Sequence, residues 1–226
     1  MNYIVIHSKN YLVHHGIQGQ KWGIKNGPPY PLKNKSVSKQ VRKEAEQRIE
    51  KIESDVSEAA RKSGSKLYGL DHKLKTEESI ARKIDKNAKE KQISISQSAN
   101  DLKDAIRFTT ITSEKDFVDS YEKFKAQLER KGYTETRCKN YFELFNQGKV
   151  KHKSVQCNYS TDDGYEFEIQ FHTPASQDAK IKKVPLYEER RSLNVNKKRA
   201  DELEKQMEDL ALKVKDPVGI ERIKSH

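Results

Sequence analysis

The chain has 226 residues, of which 33% are apolar and 35% charged, with a formal net charge of +11. That supports one globular domain of about 120 residues with polar helical extensions better than two full domains, and it points to polyanionic company such as nucleic acid, nucleotides or an anionic surface. Cys138 and Cys157 are the only cysteines, too few for a disulfide framework or a zinc spacing. No apolar run approaches membrane-spanning length and the first residues lack a signal-peptide core, so no membrane is involved and a soluble, cytoplasmic protein in a reducing compartment is expected.

Residues 1–8 alternate briefly, as a short strand or an irregular lead. His14 to Gly23 (HHGIQGQKWG) holds the only tryptophan and three glycines, which predict a tight loop rather than a helix. Its adjacent histidines are poorly placed to share one metal ion. Asn26 to Leu32 (NGPPYPL) reads as a stiff linker. From Ser36 to Ser63, Val37, Val41, Ala45, Ile49, Ile52, Val56 and Ala60 recur at three- and four-residue steps, the pattern of one amphipathic helix ended by Gly64. Thr76 is expected to cap a helix carrying Ile80, Ile84 and Ala88, and a short helix is expected over Ser96–Asp104. The β-branched run from Ala105 to Ile111 reads as the first core strand. Ser113 and Asp116 have capping-box spacing before a helix with Phe117, Tyr121, Phe124 and Leu128 on one face, stopped at Lys131-Gly132. A second strand is expected over Tyr133–Asn140, and Tyr141–Lys153 reads as a loop whose end is basic: Lys149, Lys151, His152 and Lys153.

Ser154–Tyr159 and Tyr165–His172 then form a hairpin around the turn residues Asp162-Asp163-Gly164. In the second strand Tyr165, Phe167, Ile169 and Phe171 alternate with Glu166, Glu168, Gln170 and His172, so one face is apolar. The plain interpretation of such alternation is a polar face that meets water. The chemical one is that Glu168, beside Gln170 and His172 on a rigid strand, ligates a metal or takes a proton from a hydroxyl. Thr173-Pro174 has the form of a helix N-cap followed by proline at the first helical position, predicting a helix to about Lys182. A last helix with Ala200, Leu203, Met207, Leu210 and Val214 on one face runs until Asp216-Pro217.

The order helix, helix, strand, helix, strand, loop, hairpin, helix describes an α+β layer structure. Several separated segments in it resemble the synthetase domain of the RelA/SpoT family over roughly residues 70–190. Lys73 to Ile80 (KLKTEESI) is similar to the family's basic, Ser-Ile-containing ATP-site segment, and Asp101 to Phe108 (DLKDAIRF) to its DxxGxR strand entry. Lys151 to Gln156 (KHKSVQ) is similar to its GYRSLH segment, and Glu168 to Thr173 (EIQFHT) to its EIQIRT strand. The resemblance implies a nucleotidyltransferase-like mixed β-sheet flanked by helices, with N- and C-terminal amphipathic helical extensions. It divides the chain into 1–35 (tag and linker), 36–70 (amphipathic helix and link), 71–191 (catalytic domain) and 192–226 (C-terminal helix and tail). It implies Mg²⁺-dependent transfer of pyrophosphate from ATP to the 3′-hydroxyl of a nucleotide or of tRNA. Carried over by position, Asp104 and Glu168 would be the acidic pair around Mg²⁺, Glu168 would polarise the attacking hydroxyl and Gln170 would position it. Lys73, Lys75 and Arg107 would steady ATP phosphates, while Lys151, His152, Lys153 and His172 would meet the acceptor.

Three departures bear on the acceptor. His152 stands where the family has a stacking tyrosine, offering less area and a titratable ring. Lys153 stands for arginine and loses the bidentate fork. His172 stands for the arginine of EIQIRT and gives up a phosphate contact at neutral pH. The HHGxxGxKWG stretch resembles a short tag found on phage and mobile-element proteins, which implies a phage- or mobile-element-encoded toxin or effector, with particle components as partners and a virion association. A homo-oligomer is compatible with all of this. The alternative from another class is a non-catalytic nucleic-acid-binding or particle-associated protein that keeps the fold.

Overall fold

The computed structural model describes residues 34–190 and 195–226, and the tag and linker of residues 1–33 lie outside the described residues. The period-two segments form a five-stranded mixed sheet in the order β1-β2-β5-β4-β3, from β1 (Lys66–Tyr68), β2 (Arg107–Ile111), β3 (Thr134–Asn140), β4 (Val155–Ser160) and β5 (Glu166–His172). The expected hairpin is β4–β5, antiparallel with Asn158 opposite Glu168, and its turn places Gly164 at φ +81°, where a side chain would be strained. On its other edge β5 runs parallel to β2, pairing Arg107 with Glu168 and Ile111 with His172. β5 is therefore the central strand. Its apolar row, Phe167, Ile169 and Phe171, is buried together with Phe108, Cys157 and Tyr159 from its neighbours. The result is an α+β fold whose mixed sheet is flanked by helices.

The helices are α1 (Lys35–Glu46), α2 (Ile49–Ser63), α3 (Glu77–Lys91), α4 (Ile95–Asn100), α5 (Phe117–Glu129), α6 (Tyr141–Asn146), α7 (Pro174–Arg190) and α8 (Lys197–Leu212), with 3₁₀ turns at Leu70–His72 and Ile220–Arg222. α1 packs on α3 and α2 on α5, and Asn34 to His226 form one unit. Among the described residues no helix is long and apolar enough to cross a membrane.

Five local expectations are corrected. The single helix over 36–63 is two, broken at Gln47-Arg48. There the Arg48 guanidinium donates to the Glu44 carbonyl (3.1 Å), pairs with Asp163 (2.8 Å) and lies 4.8 Å above the Tyr165 ring, contacts that turn the backbone out of the helix. The link before residue 70 contains the edge strand β1, antiparallel to β2. The helix expected over 96–104 is capped by Ser94 and ends at Asn100. The chain after it pairs with the segment before α3 through Lys75 N–H to Ala105 O (3.0 Å) and Arg107 N–H to Lys73 O (2.8 Å). The loop expected over 141–153 begins with α6, capped by the Asn140 side chain. α7 continues through Pro185 to Arg190 rather than stopping near Lys182. Proline forfeits one backbone hydrogen bond there, and α8 packs alongside to hold the turn. The Thr76 and Thr173 caps form as expected, each oxygen accepting a backbone N–H three residues on, whereas Ser113 Oγ accepts from Asp116 N–H in the turn before α5, whose own first turn has no side-chain cap.

The segment after α8 is sewn to the outer edge of β3. Asn140, fully buried, donates from Nδ2 to the carbonyls of Ile220 (2.9 Å) and Ile223 (3.0 Å) and accepts from Glu143 N–H through Oδ1. Asn140→Ala leaves two buried carbonyls and one helix N-terminus unmet. It is expected to lower stability by about 1–3 kcal/mol in a denaturant titration, with the tail amides losing hydrogen-exchange protection first.

Candidate active site

The four strands that flank and include β5 each place one polar residue at the same level. Pairing registers put Arg107 beside Glu168, Glu168 beside Asn158, and Asn158 beside Arg137. One step along, Gln170 lies between Thr109 and Gln156. This is the face that alternation alone assigns to water. It is buried: Glu168 is 8% exposed, Gln170 5% and His172 3%. A carboxylate at that depth requires compensating charge and hydrogen bonds.

Compensation comes from three elements. Gln170 Nε2 donates to Glu168 Oε1 at 2.7 Å, and the Gln170 carbonyl accepts from Lys180 Nζ of α7 at 2.6 Å. Lys75 stands 3.0 Å from Asp104 Oδ2, to which Lys83 of α3 also donates. The pairing of residues 73–75 with 105–107 is what carries Lys75 to Asp104. Burial would raise the Asp104 carboxyl, but Lys75 and Lys83 outweigh it and hold it below the usual range. Burial and the nearby Arg107 guanidinium lower Lys75, against the pull of Asp104. The Lys180 ammonium is pushed down to about 8 by burial and by Arg107, only partly offset by Glu168. Arg107 thus acts on both lysines, and Lys75 acts on Lys180. The two buried carboxylates sit in one group of mutually repelling cations.

The remaining candidates divide. Lys73 turns away to Glu53 of α2 (2.7 Å) and does not join the cluster. His172 is held neutral by burial and by Lys180. Its Nδ1 shares a hydrogen with Ser176 Oγ (2.9 Å), and its buried Nε2 has no hydrogen-bond partner. His152 packs against the Tyr141 ring, with centroids 4.3 Å apart. Lys153 is locked into the tail by the Val214 carbonyl (2.8 Å) and Asp216 (2.7 Å), and Lys151 pairs with Glu208 (3.1 Å) and Glu204 (3.6 Å) of α8. A cavity of about 460 Å³ opens against Lys151, His152, Lys180, Lys183, Tyr187 and Met207. A second, of about 220 Å³, reaches His172, Gln156 and Ser176. His152, Lys180 and Lys183 border both.

No protein-family model matches the sequence, and no curated protein matches it. Solved structures align with this chain at low identity, those named next with TM-scores below 0.5. The small alarmone synthetase 2 from Bacillus subtilis is 16% identical, with a TM-score of 0.49 over 79% of this chain and 92% of that one. The type VI effector Tas1, solved with its immunity protein, is 17% identical, with a TM-score of 0.48 over 77% and 94%. The small alarmone synthetase 1 from Bacillus subtilis, bound to its product pppGpp, is 18% identical, with a TM-score of 0.45 over 66% and 72%. The chemistry here rests on the side chains of this chain.

Lys180, Lys83 and Asn158 belong to the cluster although no sequence pattern singled them out. A signal for Lys180 did exist. It stands four residues after Ser176, on the face of α7 that Ser176 turns to His172. Asn158 holds its place by donating to the Lys103 carbonyl (3.0 Å) and accepting from Arg137 (3.2 Å). For the Mg²⁺ that the resemblance implies, the donor chemistry is the relevant observation. Asp104 and Glu168 are hard oxygen donors, and Asp104 Oδ1 is buried with no hydrogen-bond partner while Oδ2 takes both lysines.

Proposed function

We propose that the chain transfers the terminal pyrophosphoryl group of ATP to a 3′-hydroxyl, with a free nucleotide favoured over tRNA as the acceptor. One observation carries this: the buried Glu168 carboxylate, on the central strand, faces a group of cations that includes Arg107, Lys75 and Lys180. Buried ammoniums whose proton affinity is lowered first by burial and then by the Arg107 guanidinium are stabilised by a polyanion such as a triphosphate. Transfer of this kind needs little covalent help but does need fixed charge around the moving group.

In the reaction the acceptor 3′-oxygen bonds to the β-phosphorus of ATP, the bond from that phosphorus to the bridging oxygen breaks, and AMP leaves. Glu168 takes the 3′-hydroxyl proton, and Gln170, fixed between Glu168 and Lys180, keeps the carboxylate oriented. Arg107, Lys75 and Lys180 hold phosphate oxygens. Bound Mg²⁺, held by Asp104 and Glu168, would neutralise charge developing on the phosphates. The lysines at the expected acceptor positions already have internal carboxylate partners, Lys151 in α8 and Lys153 in the tail. That leaves less free positive charge for an RNA backbone than the sequence suggests, and it favours a free nucleotide. A phage or mobile-element origin and a toxin role belong to this proposal through the N-terminal tag.

Purified protein incubated with Mg²⁺, β-labelled ATP and, separately, GTP, GDP, ATP or tRNA should move label to an acceptor and release AMP. Folded protein that transfers to none of them rules out the enzyme and leaves the binding protein. A pH dependence follows from Lys180, whose folded value near 8 lies below the ordinary 10.5. ATP affinity should fall as pH rises through about 8, where this ammonium loses its proton, and Lys180→Arg should flatten that limb. For stability the sign is opposite. Between about 8 and 10.5 the unfolded chain holds more protons at this site, so the penalty of a buried charge, full below 8, is relieved as pH rises through that window.

A further inference from the structure

The two cysteines, 19 positions apart in sequence, face each other directly across β3 and β4. Both side chains are fully buried, and the Cys157 thiol donates to Cys138 Sγ with the sulfurs 3.3 Å apart. The backbone decides what kind of pair this is. Cys138 spends its N–H on the His226 carbonyl (3.1 Å) and its carbonyl on the His226 N–H (2.9 Å). Both groups therefore point away from β4, and Cys138–Cys157 is a non-hydrogen-bonded pair of that ladder. In such pairs the α-carbons lie about 4.5 Å apart and the side chains come closest, which falls within the range a disulfide spans.

Glu135 reaches the same place because Thr136 is left out of the ladder, a bulge that puts Glu135 on the face of Cys138. The three residues bring ligand atoms within 4.8 Å of one another. Their chemistry argues against a metal. Lys125 Nζ lies 2.8 Å from Glu135 Oε1, where a cation would bind, and the Tyr121 and Tyr159 hydroxyls donate to Oε2 (3.0 and 2.9 Å).

We infer that Cys138 and Cys157 are a redox-modifiable pair that closes to an intramolecular disulfide across β3 and β4 in the folded protein. Glutathione reaches the buried pair when the β3 edge opens locally or during refolding; with oxidised glutathione as the oxidant, the Cys138 thiolate then attacks one glutathione sulfur and releases one glutathione thiolate. The Cys157 thiolate then attacks the Cys138 sulfur and releases the second. Two protein thiols lose two electrons and two protons, and one glutathione disulfide becomes two glutathiones. The bond pins the ends of the segment that holds α6 and the Lys151–Lys153 loop beside the candidate site.

The full chain is equilibrated in glutathione buffers of graded potential, both from the folded state and by refolding from denaturant, then quenched by alkylation and weighed. Both thiols should disappear together in a monomer two hydrogens lighter, with the cross-link mapped to Cys138–Cys157. The oxidised protein should melt about 5–10 °C above the reduced one, as expected when a loop of this length is closed without strain. Cys138→Ser under the same treatment should gain nothing. Two alkylatable thiols in every buffer, glutathione adducts or dimers in place of the internal bond, or an oxidised form that melts no higher than the reduced one would overturn the inference.

Discussion

Glu168→Gln is expected to abolish most pyrophosphate transfer while leaving the fold in place. The substitution keeps the size of the side chain, and the new amide can still accept from Gln170 Nε2, now 2.7 Å from Glu168 Oε1. It removes the negative charge that faces Lys180 and Arg107, and the base that would take the hydroxyl proton. Loss of one preorganised charge of this kind raises the barrier by about 3–5 kcal/mol, a few hundredfold or more in rate. The measurement is label transfer from ATP at saturating acceptor, paired with a denaturant midpoint. A folded variant that transfers as fast as the parent removes Glu168 from the site. Were this strand face only a scaffold, the variant would alter stability and nothing else.

The hairpin, its turn and the caps were legible because each depends on residues close in sequence. The period-two alternation of 165–172, the Asp-Asp-Gly turn and the Thr173-Pro174 start all carry their own local energetics. Which neighbours β5 would acquire was not local. Its parallel partner β2 lies some sixty residues earlier, and only that pairing sets Arg107 against Glu168. For the same reason alternation misjudges the exposure of Glu168. The cover comes from Lys180 on the following helix and from the segment carrying Lys75, and these polar groups satisfy one another away from water.

The lysines show the same division between type and place. Within KLKTEESI, Lys75 and Lys73 are the same residue type, yet Lys75 reaches Asp104 while Lys73 is taken by Glu53. In the loop before β4, Lys151 and Lys153 are matched by Glu204, Glu208 and Asp216 from the far end of the chain. These cations are thus matched by acids that no window of sequence reveals. The break at Gln47-Arg48 was invisible because the apolar period continues through it, without glycine or proline to mark it. Only the reach of Arg48 to Asp163 and Tyr165 explains the turn.

Phe171→Ala separates scaffold from chemistry on the same strand. Phe171 is 3% exposed and points to the face opposite Glu168, where the Tyr121 and Phe124 rings of α5 meet it edge-on at 5.1 and 5.2 Å. Truncation removes two aromatic contacts and leaves a cavity between the central strand and the helix that backs it. Neither α5 nor β5, paired on both edges, can shift to fill it. The expected loss is about 3–5 kcal/mol of stability, a large share of what a domain of this size has, read as a drop in denaturant midpoint at unchanged slope. Below that midpoint, the folded fraction should still bind ATP and transfer label at close to the parent rate, since no atom of Phe171 faces the cations. A variant equally stable to the parent would mean that α5 does not pack on β5. Transfer lost in folded Phe171→Ala, with Glu168→Gln active, would move the chemistry to the opposite face of the sheet.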